Sequence, residues 1–346
     1  MVKLGIIGCG YWGPNLVRNF NSISDTEVII CADLDESRLS HIKSLYPKII
    51  VTKDYKEILE NDEIDAVIIA TPIETHYKIA KDFLNANKHV LIEKPITANS
   101  KEALDLIKTA EKNKKVLMVD HTFEFSSPIE KIKEIIDKKE LGKIFTIDMI
   151  RVNLGLFQEK VNVAWDLAPH DISMLIYYLN DIPLTVRAVG QSYIRDGIED
   201  DAHINLEFKD KVMVNMHVSW LDPCKIRRTT IVGNKKMLVY DDTLNDEKIK
   251  IFDKGVTIHK ANIPKQPYYD TYEQWALTYR SGDTYTPKIG NKEPLSVMAN
   301  HFIDCIKNNK KPLTDGYSGL RVVKVLEAIQ KSLKNDGKKI VLENDN

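Results

Sequence analysis

Only four of the 346 residues are cysteine (Cys9, Cys31, Cys224 and Cys305), and none forms a C-x-x-C pair or stands at ligand spacing from a histidine. That scarcity excludes a disulfide scaffold and a zinc ribbon, and it leaves small side chains to be buried in a reducing cytoplasm. No structural metal site is expected. Net charge is nearly absent too: 49 Lys+Arg stand against 50 Asp+Glu, a formal −1, so nothing global favours nucleic acid or an anionic membrane. No apolar run approaches the roughly 20 residues of a membrane span. The chain enters a strand pattern at once, which leaves no room for a signal peptide and points to the cytoplasm. Repeats and low-complexity segments are missing. What remains is an ordinary globular composition, 43% hydrophobic, on a chain long enough for two domains.

The most informative stretch is the first. Val2-Lys3-Leu4-Gly5-Ile6-Ile7 is a short apolar run, followed directly by Gly8-Cys9-Gly10-Tyr11-Trp12-Gly13 and by Pro14, where a helix would begin. Strand, glycine turn and helix in that order are the context in which G-x-G-x-x-G signals a dinucleotide. Gly8 permits the tight turn, Gly10 lets a pyrophosphate approach the backbone, and Gly13 lets helix and strand pack closely. The partnerless N–H groups of the first helical turn point at the anion. Asp33 ends the next strand, twenty residues past Gly13. A carboxylate there accepts the ribose hydroxyls and repels a 2′-phosphate, so NAD is expected rather than NADP, although Arg38 nearby complicates the field. The competing reading of Asp33 is a residue that merely opens the turn into a helix over Glu36–Tyr46.

From Met1 to about Val119 apolar strands alternate with amphipathic helices, the pattern of a parallel sheet covered on both faces. The strand ends carry Gly8, Asp33, Thr71-Pro72 and Glu93-Lys94-Pro95, which form one rim where ligands of such sheets sit. The spacing predicts a first domain over residues 1–122 and a second over 123–346. In the second, strands dominate. Val212, Val214, Met216, Val218 and Trp220 alternate with Met213, Asn215, His217 and Ser219, a period of two. This domain reads as α+β with a largely antiparallel sheet. Residues 253–294 are polar and irregular and carry no readable pattern. Two further helices, Leu295–Asn308 and Ser318–Asn335, are expected to pack back toward the first domain.

Lys94 sits at a parallel strand end on the ligand rim, placed to touch a substrate; the alternative is a solvated surface lysine paired with Glu93. Asp166 and His170 are four apart, and Pro169 suggests a helix that starts between them. A carboxylate that orients an imidazole makes a general base near neutral pH. An N-cap aspartate and a core histidine would account for the same spacing. His76 is open to similar alternatives, while His203 and His217 lie on strands and read as structural. Arg151, Lys225, Arg227 and Arg228 are candidates for an anionic group on a substrate, or ordinary surface cations.

Taken together, Gly8-Cys9-Gly10-Tyr11-Trp12-Gly13, Ala70-Thr71-Pro72 with His76, Lys88 through Pro95, and Trp165-Asp166 with His170-Asp171 resemble the Gfo/Idh/MocA oxidoreductases. The resemblance covers essentially the whole chain. It implies an N-terminal Rossmann sheet and a C-terminal open sheet used for homodimer or homotetramer contacts. It also implies NAD held by Gly8, Gly10, Tyr11, Trp12, Gly13, Asp33, Thr71, Pro72, His76, Glu93 and Lys94. Lys94, Asp166 and His170 would surround a sugar carbinol carbon beside the nicotinamide; either Lys94 or His170 would accept the proton. Trp165 through Asp171 is similar to a branch of nucleotide-sugar dehydrogenases, which implies oxidation at C3 of a UDP-N-acetyl sugar or its uronic acid. Inositol dehydrogenase, keto-sugar reductase and a non-catalytic NAD sensor are the rivals. In one respect the chain departs from the pattern: where many members carry Asn-Arg-Tyr after the sixth strand, it has His121-Thr122-Phe123-Glu124.

Overall fold

The computed structural model describes residues 1–258 and 277–342. Contacts group the chain into two compact units: Met1–Ile129 with Pro169–Tyr177 and Asn291–Glu327, and Glu130–Ala168 with Tyr178–Gly290 and Ala328–Asn346.

In the first unit β1 (Val2–Ile7), β2 (Thr26–Ala32), β3 (Ile50–Thr52), β4 (Ala66–Ile69), β5 (His89–Glu93) and β6 (Leu117–Asp120) form a six-stranded sheet ordered β3-β2-β1-β4-β5-β6. Every pairing is parallel. All four residues of β4, Ala66-Val67-Ile68-Ile69, are buried, as a strand covered on both faces requires. Helices α1 (Gly13–Asn21), α2 (Glu36–Leu45), α3 (Lys56–Leu59), α4 (Ile73–Asn85) and α5 (Ser100–Lys112) make the crossovers, and α6 (Ser127–Asp137) follows β6. The strand order reverses between β1 and β4, and ligand crevices of doubly wound sheets open at such a point. α8 (Pro294–Asn308) packs on this unit: Phe302 meets Phe20 of α1 edge-on, ring centroids 6.3 Å apart. The outer edge of β6 is closed by residue 314. Thr314 Oγ1 donates to the Val119 carbonyl at 2.6 Å, and Val119 N–H donates back to the Thr314 carbonyl.

The second unit is built on a nine-stranded sheet in which β7 (Ile144–Leu154) and β10 (Met213–Ser219) pair parallel. Its other strands pair antiparallel: β8 (Thr185–Gln191), β9 (Asp201–Glu207), β11 (Leu221–Gly233), β12 (Met237–Asp241), β13 (Ile249–Ile258), β14 (Leu277–Tyr285) and β15 (Ile340–Val341). The period of two in β10 holds, with Val214, Met216 and Val218 buried and Met213 and Asn215 exposed. Residues 253–294 correct the sequence reading in part. They contain most of β13 and all of β14, whose polar residues hide any alternation; residues 259–276 lie outside those described. Among the described residues no helix is long and apolar enough to cross a membrane.

Helix α7 (Val163–Leu179) departs most from expectation. The spacing predicts a helix start near Pro169, yet Pro169 lies inside the helix, which begins six residues earlier. Asn162 is the cap, its Oδ1 accepting the Trp165 N–H at 3.1 Å. An interior proline costs about 3 kcal/mol or more. Here that cost is offset by burial on both sides of the proline: Val163, Ala164, Ala168, Ile172, Met174 and Leu175 are all buried, and each large aliphatic residue contributes about 1.5–3 kcal/mol. Asp166 is therefore an internal first-turn residue, one turn before His170, and not the cap.

Candidate active site

The glycine turn is built as the spacing requires. Gly8 has φ +97°, and a Cβ there would stand 2.3 Å from the Ala70 carbonyl oxygen, so only glycine lets the ends of β1 and β4 approach. A Cβ on Gly13 would lie 2.8 Å from the Gly8 oxygen, which is the helix–strand contact. Gly10 differs: the nearest group to its missing Cβ is the Arg38 guanidinium, 3.5 Å away. That space over the backbone, beside a helix N-terminus, fits a dinucleotide pyrophosphate. Tyr11 is 85% and Trp12 48% exposed, and the two rings meet edge-on at 5.2 Å.

Asp33 does two things. Its Oδ2 accepts the Cys9 N–H at 2.7 Å and ties the end of β2 to the glycine turn. Its Oδ1 accepts Asp35 N–H at 2.9 Å, while Asp35 caps α2. Both readings of Asp33 thus describe the same carboxylate. Arg38 Nη1 stands 3.6 Å from Asp33 Oδ2, which leaves a cation beside the group expected to meet the ribose.

Thr71 and Pro72 follow β4, and His76 lies in the first turn of α4. The imidazole is buried, with Nδ1 2.9 Å from the Pro95 carbonyl and Nε2 2.8 Å from the Thr71 carbonyl. Burial holds its pKa below the ordinary histidine value, so the neutral ring donates to one carbonyl at a time. His76 joins the turn after β4 to the turn that follows Lys94.

Lys94 continues β5, and its N–H donates to Glu93 Oε2 at 3.2 Å. Glu93 pairs in register with Asp120 at the end of β6. Burial, then the charge of Asp120, pushes Glu93 above the carboxylate range. Asp120 is also raised by burial, against which the Thr122 hydroxyl and N–H and the charge of Lys94 act. A half-buried and a buried carboxyl paired in register favour holding one proton between them. Asp120, with more donors facing it, is the better-stabilised anion, and Glu93 keeps the proton. The charge of Lys94 acts on Glu93, as the sequence suggests, and also on Asp120, which is visible only once β5 and β6 lie side by side. His121 is 1% exposed, and neither ring nitrogen has a partner among the described residues. Burial, then Lys94, pulls its pKa down to about 3, so it is neutral.

His170 stands in the same unit, its ring 5.0 Å from that of Phe123. Asp166 and Arg151 belong to the second unit. Asp166 Oδ2 accepts the indole N–H of Trp220 at 3.1 Å, and Trp220 is itself buried and carries Phe157 edge-on at 5.7 Å. Arg151 is buried, with Tyr240 within reach of its charge. Arg227 pairs with Asp242 at 3.6 Å, Lys225 and Arg228 are exposed, and Arg228 lines a depression on the sheet. Asp120, His121 and Trp220 are the residues the spacing did not single out; the end of β6 on the ligand rim was the available signal for the first two.

Two family matches agree with this architecture. Residues 2–121 match the Gfo/Idh/MocA oxidoreductase family, NAD-binding Rossmann fold, and residues 129–239 match the Gfo/Idh/MocA C-terminal domain. The chain belongs to the Gfo/Idh/MocA family of NAD(P)-binding oxidoreductases. It is 24% identical to an uncharacterized oxidoreductase, YrbE, of Bacillus subtilis, over 96% of this chain and 94% of that protein. It is likewise 24% identical to the myo-inositol 2-dehydrogenase of Thermotoga maritima, over 96% of each. In fold it is similar to the UDP-N-acetylglucosamine 3-dehydrogenase of Acidithiobacillus ferrooxidans, with a TM-score of 0.77, 21% identity, and 96% and 97% of the two chains covered.

One buried acid of this region makes a pH prediction. Burial raises Glu124 to about 8, Asp315 adding to the effect and Arg321 opposing it. Between its ordinary 4.5 and about 8 the folded chain holds a proton that the unfolded chain releases. Stability from this group is therefore lost as pH rises across that window. Glu124→Gln, neutral throughout, should gain in melting temperature relative to the parent from about pH 5 to about pH 8. A difference that stays flat in calorimetric scans would remove the assignment.

Proposed function

We propose that the protein is an NAD-dependent dehydrogenase acting on a ring carbinol of a sugar, with Lys94 and His170 at the reacting oxygen and Asp166 orienting His170. The observation that carries this reading is the setting of Lys94: a cation at the end of β5, on the same rim as the glycine turn, with Asp120 as the buried anion facing it. When bound, the nicotinamide would accept the hydride that leaves the carbinol carbon. The chain's own work is then proton handling and charge. Removing the hydroxyl proton builds negative charge on oxygen, and a cation within hydrogen-bond reach of that oxygen lowers the barrier. Lys94 placed as the cation at that oxygen leaves His170 as the proton acceptor. His121, neutral at every working pH, adds no competing positive charge.

The favoured substrate is a UDP-N-acetyl sugar or its uronic acid, oxidised at C3, supported by the likeness to the Acidithiobacillus enzyme and by the run Trp165 through Asp171. A cyclitol is the second reading, favoured by the identity with the Thermotoga inositol dehydrogenase. A homodimer or homotetramer through the second unit's sheet belongs to the same proposal, supported by the exposed Val189 and Met213 on its strands.

Two experiments test the reading. NAD(H) should bind at least about tenfold more tightly than NADP(H), about 1.4 kcal/mol, because Asp33 faces the ribose. Equal affinities by calorimetry would shift the balance to Arg38. With UDP-sugars and inositols assayed in parallel, Lys94→Ala should lower kcat by about three orders or more while NAD affinity barely moves. His170→Ala should abolish the acidic limb of the kcat/KM profile. Near-normal kcat in Lys94→Ala, or an acidic limb that survives in His170→Ala, would sink the assignment of that residue.

A further inference from the structure

The sheet of the second unit carries a cluster that the oxidoreductase chemistry does not use. β9 and β10 run antiparallel with His203 opposite His217 and Asp201 opposite Ser219. Alternation along each strand puts all of these side chains on one face. His217 Nε2 lies 3.0 Å from Asp201 Oδ2, and His203 Nε2 lies 3.5 Å from Asp201 Oδ1. The imidazoles stack nearly parallel, centroids 4.1 Å apart at 11°, and so turn the same nitrogen toward the same carboxylate.

We propose that Asp201, His203 and His217 form a binding site for a divalent transition-metal ion. The three donor atoms lie within 4.8 Å of one another. Metal bonds of about 2.1 Å require donor–donor edges of about 3.0–3.4 Å, between octahedral and tetrahedral geometry. The His217–Asp201 separation of 3.0 Å lies in that range and the His203–Asp201 separation of 3.5 Å just outside it, so small side-chain rotations bring all three donors onto one ion. Two imidazoles and one carboxylate suit Zn²⁺, Co²⁺, Ni²⁺ or Cu²⁺ and are poor ligands for Mg²⁺ or Ca²⁺. The carboxylate is oriented from behind by the Ser219 hydroxyl, which in turn accepts the Leu221 N–H at 3.0 Å. Such an outer partner is what metal-ligating carboxylates characteristically have. His203 is 62% exposed in its side chain and lines, with His217, Asn205 and Asn215, a depression of about 780 Å³. The remaining coordination positions face that depression, beside Val189 on the face proposed for oligomer contact, and would be filled by water in a single copy. A bound ion would clamp β9 to β10 and stabilise the folded chain in proportion to its occupancy.

The test uses the full chain, stripped with chelator and titrated with Co²⁺ alone, whose visible absorption reports its ligands. One saturable ion per chain is expected. His203→Ala, which removes the most exposed ligand and is the safest for folding, should weaken binding at least about tenfold. His217→Ala and Asp201→Asn should do the same. Cys224→Ser, which removes the exposed thiol, should leave binding and the spectrum unchanged, and Zn²⁺ should raise the melting temperature of the parent but not of His203→Ala. No saturable binding up to about 1 mM Co²⁺ would overturn the proposal. So would uptake that persists in His203→Ala and His217→Ala, or uptake lost only with Cys224.

Discussion

The first unit depends on one close approach, that of Gly8 to the Ala70 carbonyl. At that point β1 and β4 end side by side and the strand order reverses. A single methyl group would meet the carbonyl oxygen at 2.3 Å, well inside van der Waals contact, and would push the two strand ends apart. Several things hang on their staying together. The turn places Gly10 over open space, starts α1 at Gly13, and presents the Cys9 N–H to Asp33. The same strand end carries Thr71, whose carbonyl meets His76, and His76 reaches on to Pro95 beside Lys94. A backbone constraint at one residue is thus passed through hydrogen bonds to the rim that carries the chemistry.

The second determinant is electrostatic. At the ends of β5 and β6, the buried Asp120 and His121 and the half-buried Glu93 all feel the charge of Lys94. Taking carboxylates out of water costs several kcal/mol each unless they are paired or protonated. The arrangement meets that cost by sharing a proton, by the Thr122 donors on Asp120, and by the Lys94 charge. Burial that raises carboxylic acids and lowers imidazoles leaves one well-defined anion and one cation. Perturbation of this kind collects at functional sites, and here it collects on the ligand rim.

Helix α7 links local chemistry to tertiary override. Asn162 both caps the helix and donates through Nδ2 to Gln330 Oε1 at 2.9 Å, while the Trp165 indole donates to the same oxygen at 3.1 Å. Those contacts and a buried apolar face hold a helix through Pro169 that propensity alone would have ended. In consequence Asp166 faces Trp220, a residue 54 positions away in the chain.

Much of this was legible in the chain. Gly8, Gly10, Gly13 and Asp33 announced a dinucleotide turn because strand, turn and helix are local and each glycine answers a local steric demand. The parallel sheet was legible because β1, β4 and β5 are continuous apolar runs between amphipathic helices, and β10 because its burial alternates. The extent of α7 was not, since the burial that offsets Pro169 comes from residues far away in sequence. β13 and β14 were not, because their pairing lies in backbone hydrogen bonds that their polar side chains do not advertise. Asp120 beside Glu93, and Asp201 between His203 and His217, were beyond reach for a single reason. Side chains on neighbouring strands meet through register, and register is set by how the strands assemble, so only the tertiary structure decides which charges share a proton and which donors converge.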